Sequence, residues 1–378
     1  MNINIDVLNN NKPFIEFLKK EIVLILALSL GIFSSFWTTP KLEYIDFKVL
    51  ILLFNLMIVV AAYNDLQVLD TIAISMLKRS TSYKKLSLAL VGLTFFASML
   101  VTNDVALITF VPLTLIIGKK VNVNVLKLVI FQTLAANLGS SLTPMGNPQN
   151  LYIYSFYNIH PWEFFKITAP LMVLGIVFLF VLINTEKNSV HAFELEAINM
   201  KDKTQTIIFS VLFFIIILSV FHVIDYKITF ILTIITVFIL NKKLFLHVDY
   251  SLLITFIGFF IFIGNISNLH GVKSVMSTFL GSETSTYFSG ILLSQVISNV
   301  PATMLLSKFT TFYKDLLLGA NIGGMGTLIA SLASVISYKL YANEYSYENS
   351  RYIKTFTAYN LIGLVIFVPI IYFLLRFL

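Results

Sequence analysis

The sequence predicts an all-α protein that crosses a membrane many times. Of its 378 residues, 57% are hydrophobic and only 12% are charged, whereas soluble domains carry about a quarter charged residues. Apolar segments that approach the length of a membrane-spanning helix recur from Ile22 to Leu378. Polar stretches interrupt the apolar pattern at equivalent places in the two halves of the chain. We therefore expect two inverted repeats, each with a re-entrant helical hairpin and a discontinuous transmembrane helix.

The composition argues against several other kinds of protein. The chain contains no cysteine, which excludes disulfide bonds and thiolate metal sites, and its five histidines are not spaced as metal ligands. The net charge of +7 favours basic cytoplasmic loops over nucleic-acid binding, because no basic stripe lies on a soluble domain. No phosphate-binding loop or nucleophile–base pair is present, so we expect no ATP-driven pump, no enzyme and no cofactor.

The first polar stretch, 134–150, reads LAANLGSSLTPMGNPQN. A helix cannot run smoothly through it, because its two prolines lack amide donors and its two glycines loosen the backbone. Unwound backbone at membrane depth is tolerated only where it is buried in protein or lines a wet cavity. The stretch therefore predicts a broken helix over 125–157 that forms half of a binding site.

A second polar interruption predicts a helical hairpin over 84–118. Two apolar arms flank Thr102-Asn103-Asp104, and each arm is short for a crossing of about 20 residues. A hairpin with this triplet at its tip fits better than two spans. Asp104 is the most informative ionisable residue, because carboxylates inside a membrane are expensive and usually functional. The alternative is that Asp104 only caps the second arm.

The second half repeats this plan. A hairpin over 284–314 surrounds Ser298-Asn299-Val300-Pro301, and a broken helix follows over 315–340. The segment 136–143, ANLGSSLT, aligns with 320–327, ANIGGMGT. The predicted organisation is then an N-terminal cytoplasmic segment (1–21), a first inverted repeat (22–184), a cytoplasmic linker (185–204) and a second inverted repeat (205–378).

Loop charges predict the topology. Nine crossing segments and two hairpins place 18 lysines and arginines on one side and 8 on the other. The richer side should be cytoplasmic. We therefore expect a multi-pass protein of the cytoplasmic (inner) membrane, with its N-terminus inside, its C-terminus outside and its two hairpins entering from opposite sides.

The two tips and the two breaks are expected to meet near the midplane as two half-sites. The first consists of Thr102, Asn103, Asp104, Asn137, Gly139, Ser140, Ser141, Thr143, Gly146 and Asn147. The second consists of Ser298, Asn299, Thr303, Asn321, Gly324, Gly326 and Thr327. Their oxygens can replace the hydration shell of Na⁺, most directly at Asn103, Asp104 and Asn299, while helix N-termini can hold an anion. Alternatively, the hydroxyls bond only their own backbone and the glycines only allow close packing.

Four motifs resemble the ion transporter superfamily: TNDVA at 102–106, TPMGNPQN at 143–150, SNVP at 298–301 and GGMGTLI at 323–329. That superfamily includes divalent anion:sodium symporters, citrate transporters, arsenite efflux permeases and one type of sodium/proton antiporter. The resemblance covers about 45–378. It implies two inverted repeats, a scaffold with a moving transport domain, elevator-like alternating access and, in many members, a homodimer.

The tip sequences resemble some branches of the superfamily more than others. In the dicarboxylate branch each tip reads Ser-Asn-Thr and binds sodium and a carboxylate. Here Asp104 and Val300-Pro301 stand in the third positions, which resembles the arsenite-permease and anion-permease branches.

The sequence thus predicts a secondary active transporter for a small anion, either a carboxylate or an inorganic oxyanion, coupled to Na⁺ or H⁺ and embedded in the lipid bilayer. The main alternatives are a sodium/proton antiporter and an arsenite-type metalloid efflux permease, with Asp104 as the exchanging carboxylate. A passive channel and a structural membrane protein are further alternatives, which the matched polar breaks disfavour.

Overall fold

The computed structural model describes residues 21–77, 82–188 and 198–377, and the regular elements in these ranges are helices, which confirms the all-α prediction. The N-terminal segment 1–20 and the linker residues 189–197 lie outside the described residues. The α-helices are α1 Ile22–Ser34, α2 Phe47–Asp65, α3 Val68–Leu77, α4 Tyr83–Val101, α5 Asn103–Val121, α6 Leu126–Ser140, α7 Pro148–Phe156, α8 Pro161–Thr185, α9 Lys203–Val220, α10 Tyr226–Leu240, α11 Tyr250–Ile266, α12 His270–Phe279, α13 Glu283–Ile297, α14 Asn299–Ser307, α15 Tyr313–Gly323, α16 Leu332–Glu344 and α17 Asn349–Leu375.

Several of these helices are long and apolar enough to cross a bilayer, as expected for a polytopic membrane protein. Within the described residues α2, α4, α8, α9 and α17 meet this criterion, and α11 meets it together with α12 across a bend of 100°. Both arms of the first hairpin are longer than expected, since α4 and α5 have 19 residues each, and α4 meets the length and composition criterion for a span. Ser82 caps that helix by accepting a hydrogen bond from the Lys85 amide, so α4 starts early and reaches 19 residues.

Both hairpins are visible as antiparallel pairs. In the first, only Thr102 separates α4 from α5, and the Tyr83 hydroxyl donates to the Asn124 carbonyl oxygen at 3.3 Å. In the second, the Thr286 and Thr310 hydroxyls lie 3.1 Å apart. Because each of these contacts joins the open ends of a hairpin, the two arms run side by side.

Each broken helix consists of two α-helices joined by a short 3₁₀ turn. The first break carries the turn Pro144–Gly146 between α6 and α7, and α7 begins with Pro148 at a position where the missing amide donor costs nothing. The second break carries the turn Leu328–Ala330 between α15 and α16. The residues that precede α7 and α16, Asn147 and Ser331, have the same extended backbone.

The helices form two bundles. The scaffold bundle consists of α1, α2 and α9–α11, in which α2 packs on α9 and α10, while α3 and α12 also contact the hairpin arms. Helix α1 packs tightly on α11, where a Cβ on Gly258 would lie 2.9 Å from the Ala27 carbonyl carbon. The central bundle consists of the hairpins, the broken helices, α8 and α17.

The two halves interlock within the central bundle. In each half the first hairpin arm packs on the first part of its own broken helix, as α4 does on α6 and α13 on α15. The second arm packs on the broken helix of the other half, α5 on α16 and α14 on α7. The halves therefore match element by element in their contacts, while their opposite orientation across the membrane stays a prediction.

The long helices define two faces of the molecule. One end of α8 carries Glu163, which accepts a hydrogen bond from the Tyr313 hydroxyl at 2.6 Å. We call this end the Glu163 face. At the other end, Glu186 follows α8 and accepts a hydrogen bond from Lys127 at 2.8 Å. Lys201 precedes α9 at the same end and gives the Lys201 face its name.

Single cysteines would test the orientation of these faces in the cysteine-free chain. Lys187 and Ser282 are both exposed, and they follow α8 and precede α13 at opposite faces. In intact cells we expect Ser282→Cys to react with an impermeant maleimide and Lys187→Cys to react only after permeabilisation. Labelling of both variants from the same side would contradict the predicted topology.

Candidate functional site

The two hairpin tips share one unusual backbone conformation. Thr102 has φ 78° and ψ 153°, and Ser298 has φ 75° and ψ 152°. A positive φ is uncommon outside glycine and exceptional for a β-branched residue such as threonine. Strain of this kind costs about 1–3 kcal/mol and persists only where the surroundings impose it, most often at functional sites. The same strained turn thus presents an asparagine, Asn103 or Asn299, at the start of the following helix.

One asparagine connects the first tip to both broken helices. Asn137 Oδ1 accepts hydrogen bonds from Asn103 Nδ2 at 3.1 Å and from Ser331 Oγ at 3.1 Å. Asn137 Nδ2 in turn donates to the Gly324 carbonyl oxygen at 3.4 Å. We call Asn103, Asn137 and Ser331 the asparagine centre. All three side chains are buried, so they satisfy one another instead of water.

The second tip approaches the same place. A Cβ on Gly324 would lie 2.9 Å from Asn299 Nδ2, and Gly324 is also bonded to the asparagine centre. The structure therefore brings Asn103 and Asn299 to opposite sides of one break. Asn321 belongs to the same region, because its Nδ2 donates to Asn150 Oδ1 at 2.8 Å.

Most hydroxyls of the first half-site bond the backbone, in line with the alternative interpretation. Ser140 Oγ donates to the Asn137 carbonyl oxygen at 3.1 Å, and Ser141 Oγ donates to that of Leu138 at 2.6 Å. Thr143 Oγ1 bonds the Met99 carbonyl oxygen. These hydroxyls hold the break in shape, and any ligand would meet their remaining lone pairs.

The site glycines serve different purposes. A Cβ on Gly139 would lie 2.2 Å from the Phe95 carbonyl oxygen, and one on Gly146 would lie 2.4 Å from that of Ser140. These two glycines allow close packing. Gly326 instead has φ 117°, a conformation that other residues rarely adopt.

Three residues differ from the sequence prediction, since two were missed and one lies away from the asparagine centre. Gln295 clamps the second break, because its Nε2 donates to the Gly323 and Met325 carbonyl oxygens at 2.8 and 3.0 Å. Thr327, a predicted site residue, is exposed and bonded to Gln295. Asn150 ties the first break together by donating to the Ser140 carbonyl oxygen at 3.0 Å. The signal for Gln295 and Asn150 was available, since both are amide side chains within apolar helices.

A cavity of about 560 Å³ separates the scaffold bundle from the first tip. Thr102 and Asp104 line its inner end, while Asp249 and Lys201 line it toward the Lys201 face. We call this cavity the vestibule. In this structure it leads from the Lys201 face to the hairpin tip.

The vestibule is acidic. Its lining includes four carboxylates and one lysine: Asp65, Asp70, Asp104, Asp249 and Lys201. Lys201 lies 3.8 Å from Asp65, and no salt bridge pairs the other three carboxylates among the described residues, although Asp249 accepts a hydrogen bond from the Leu252 amide. Burial raises the pKa of Asp70 above its ordinary value, and Asp104 Oδ1 is buried without a hydrogen-bond partner. A cavity with this charge attracts cations.

Helix termini add partial charges of both signs. At the tips and breaks, α5, α7, α14 and α16 begin, and α4, α6, α13 and α15 end. Helix N-termini carry roughly half a positive unit charge and C-termini the corresponding negative charge. The arrangement can therefore hold an anion at the N-termini and a cation at the C-termini without a lysine or arginine.

Sequence comparison places the chain in a transporter family. The family model described as citrate transporter matches residues 14–311, so this protein belongs to the citrate transporter family and is a membrane transporter rather than an enzyme. The recognised resemblance to the ion transporter superfamily is thereby confirmed.

Individual relatives agree with this assignment. The chain is 37% identical over 299 residues to an uncharacterized transporter of Methanocaldococcus jannaschii, covering 78% of this chain and 81% of the relative. It is 29% identical over 337 residues to the inner membrane protein YbiR of Escherichia coli, covering 87% and 90%. A shorter match, 32% over 79 residues, covers 21% of this chain and 14% of the putative transporter arsB of Dictyostelium discoideum.

The close packing at Gly139 predicts a sharp difference between two glycine substitutions. Gly139→Ala should destabilise the protein by about 1–3 kcal/mol, because its methyl group would overlap α4. Gly92→Ala, in α4 itself, should be neutral or stabilising, since no atom lies within 4 Å of the new Cβ and alanine favours helix. Thermal unfolding in detergent measures both changes; equal stabilities of the two variants would refute the packing role of Gly139.

Proposed function

We propose that this chain is a secondary active transporter that carries a small anion across the inner membrane, driven by a Na⁺ or H⁺ gradient. The observation that carries the proposal is the meeting of both hairpin tips at one break, with Asn103 and Asn299 on either side of Gly324. A site built from both halves at the middle of a membrane protein is the arrangement expected of a transporter with internal repeats.

Recognition of the anion would rest on neutral groups. Lys201 is the one lysine or arginine of the described vestibule lining, and it faces Asp65. The anion would instead be held by the amides of Asn103 and Asn299 and by the N-termini of α5 and α14. A carboxylate or inorganic oxyanion suits such donors, because its oxygens accept several hydrogen bonds at once.

The vestibule supports an elevator-like mechanism. It lies between the scaffold bundle and the central bundle, so sliding of the central bundle along the scaffold bundle would close it and expose the site at the Glu163 face. With the predicted topology, this structure is the inward-facing state. A homodimer joined through the scaffold bundle would hold that bundle fixed in the membrane.

The two tip asparagines provide the first test. With citrate as the test anion in proteoliposomes, Asn103→Ala and Asn299→Ala should each lower gradient-driven uptake by about tenfold or more. Each variant loses a buried amide whose interactions are worth about 1–3 kcal/mol, and 1.4 kcal/mol is a factor of ten. Asn184→Ala is the control, because the Asn184 side chain donates to the Phe180 carbonyl oxygen at the exposed end of α8 and the backbone oxygen that Lys84 bonds is kept. Wild-type uptake by both tip variants would reject this site.

The acidic vestibule favours a second candidate, sodium/proton antiport or metalloid efflux, with Asp104 as the exchanging carboxylate. Lining carboxylates without a salt bridge favour cations over free anions in this cavity. The match to a relative named putative transporter arsB points the same way.

A carboxylate-to-amide substitution separates these candidates. In vesicles that contain a pH-sensitive dye, antiport predicts proton movement when a Na⁺ gradient is applied without any anion, and loss of that movement in Asp104→Asn. Asp225→Asn is the matched control, because Asp225 caps α10 away from the vestibule and asparagine caps a helix equally well. If sodium moves no protons in the wild type, antiport is ruled out.

A further inference from the structure

Three almost completely buried side chains of the central bundle carry polar atoms without hydrogen-bond partners. Gln149, Thr303 and Asn321 are 0%, 0% and 4% exposed. No hydrogen bond reaches Gln149 Oε1 or Nε2, Thr303 Oγ1 or Asn321 Oδ1. Buried polar groups are normally satisfied by protein or by ordered water, so unpartnered groups gathered at one place indicate a small polar occupant.

The register of α7 against α14 brings two of these groups together. The Tyr152 and Ser307 hydroxyls are 2.9 Å apart, and just beyond the ends of the two helices the Tyr157 hydroxyl donates to the Ser307 and Thr310 carbonyl oxygens, each at 2.9 Å. The contacts advance in the same direction along both helices, so α7 and α14 run parallel. Gln149 lies one turn before Tyr152 on the same face of α7, and Thr303 lies one turn before Ser307 on the same face of α14.

Asn321 completes the group from α15. Its Nδ2 bonds Asn150, the residue next to Gln149, and α15 packs on both α14 and α7. The unpartnered Asn321 oxygen therefore belongs to the junction of these three helices. We call Gln149, Thr303 and Asn321 the buried triad.

Water fits the buried triad better than a cation does. A cation would use the three oxygens but leave the Gln149 amide donor unpaired, and it would face the positive N-termini of α7 and α14. Water both donates and accepts, and a buried water molecule requires two to four polar partners. The triad offers amide and hydroxyl groups of both kinds.

A stripe of polar side chains continues from the triad along α14. Asn299, Thr303 and Ser307 follow one another at helical spacing on one face, and Thr310 lies just beyond the helix. The equivalent positions of the first hairpin are Asn103, Leu107, Val111 and Thr114. The second and third members of the stripe are therefore polar in one repeat only, which general packing of the hairpin does not require.

The stripe leads toward the Glu163 face. The rings of Tyr157 and Tyr313 lie 5.6 Å apart, and the Tyr313 hydroxyl donates to Glu163 Oε1 at 2.6 Å. Hydroxyl groups thus extend from the second tip to a surface carboxylate on the side opposite the vestibule.

We propose that the buried triad holds water and that this water, with the hydroxyls of Thr303, Ser307 and Tyr152, carries the coupling proton between the second tip and water that enters beside Tyr157 and Tyr313 from the Glu163 face. This inference rests on the proposed function with H⁺ as the coupling ion. A proton arrives through the water beside Tyr157 and Tyr313, and each hydroxyl or water of the path accepts a proton on one side while it releases its own on the other. The last O–H group passes its proton to the anion bound beside Asn299, so that only O–H bonds break and form.

The first test asks whether the wild type moves protons. Proteoliposomes that contain a pH-sensitive dye receive citrate in one arm and a Na⁺ gradient in the other. A change of internal pH in either arm supports the path, and no change in both overturns it. Sodium-coupled citrate uptake without a pH change would overturn the path and leave the proposed function standing. Sodium-driven proton movement without citrate uptake would overturn the proposed anion transport and leave the path standing.

The second test removes hydroxyls from the path. Tyr152→Phe and Ser307→Ala should slow proton movement at least tenfold, while exchange of the carried ion at equal pH stays within twofold of wild type. The matched control is Ser87→Ala, which removes a buried hydroxyl of the first hairpin. Equal losses of proton movement and exchange would assign these hydroxyls a structural role and overturn the proposal. Unchanged proton movement in these variants would also overturn it.

The third test concerns the water itself. Thr303→Val keeps the side-chain shape and removes one water ligand, so it should lower the unfolding temperature by a few degrees, about 3 °C. In a dry pocket the same change would remove an unsatisfied hydroxyl and leave the unfolding temperature equal or higher. That result would overturn the proposed water site.

Discussion

The rest of this structure depends on one constraint: backbone groups that leave a helix inside the membrane must find partners within the protein. Amide side chains meet that constraint at both breaks. Asn150 bonds the carbonyl oxygens of the first break, and Gln295 bonds those of the second. Asn137 then joins the two breaks through the Gly324 carbonyl oxygen. The polar groups that hold the unwound backbone therefore lie at the same breaks as the candidate site.

Interlocking of the two halves makes this a single site. Each hairpin packs its second arm on the broken helix of the other half, so neither half can hold its tip in place alone. The strained backbone at Thr102 and Ser298 fits this arrangement, because a positive φ at a non-glycine residue persists only where packing from several sides imposes it. The vestibule, in contrast, lies between bundles, where relative movement disturbs fewer contacts.

Charge is distributed unevenly along the access route. The vestibule carries carboxylates without a salt bridge, whereas the tips offer helix N-termini and asparagine amides. An anion would thus meet repulsion in the vestibule and attraction at the tip, while a cation would meet the opposite at each place. Binding of both together would lower each cost, which gives a physical reason for the proposed coupling.

The sequence by itself determined the helical class, the positions of both hairpins and breaks, and the family, because proline, glycine and isolated polar residues within apolar runs act locally on the backbone. It also singled out Asn103 and Asn299, since asparagines at hairpin tips are visible in the chain. Only the tertiary structure decided which residues meet. The roles of Ser331 and Gln149, the exposure of Thr327 and the charge of the vestibule all depend on contacts between segments far apart in sequence. Such contacts follow from the packing of whole helices, which no local pattern specifies.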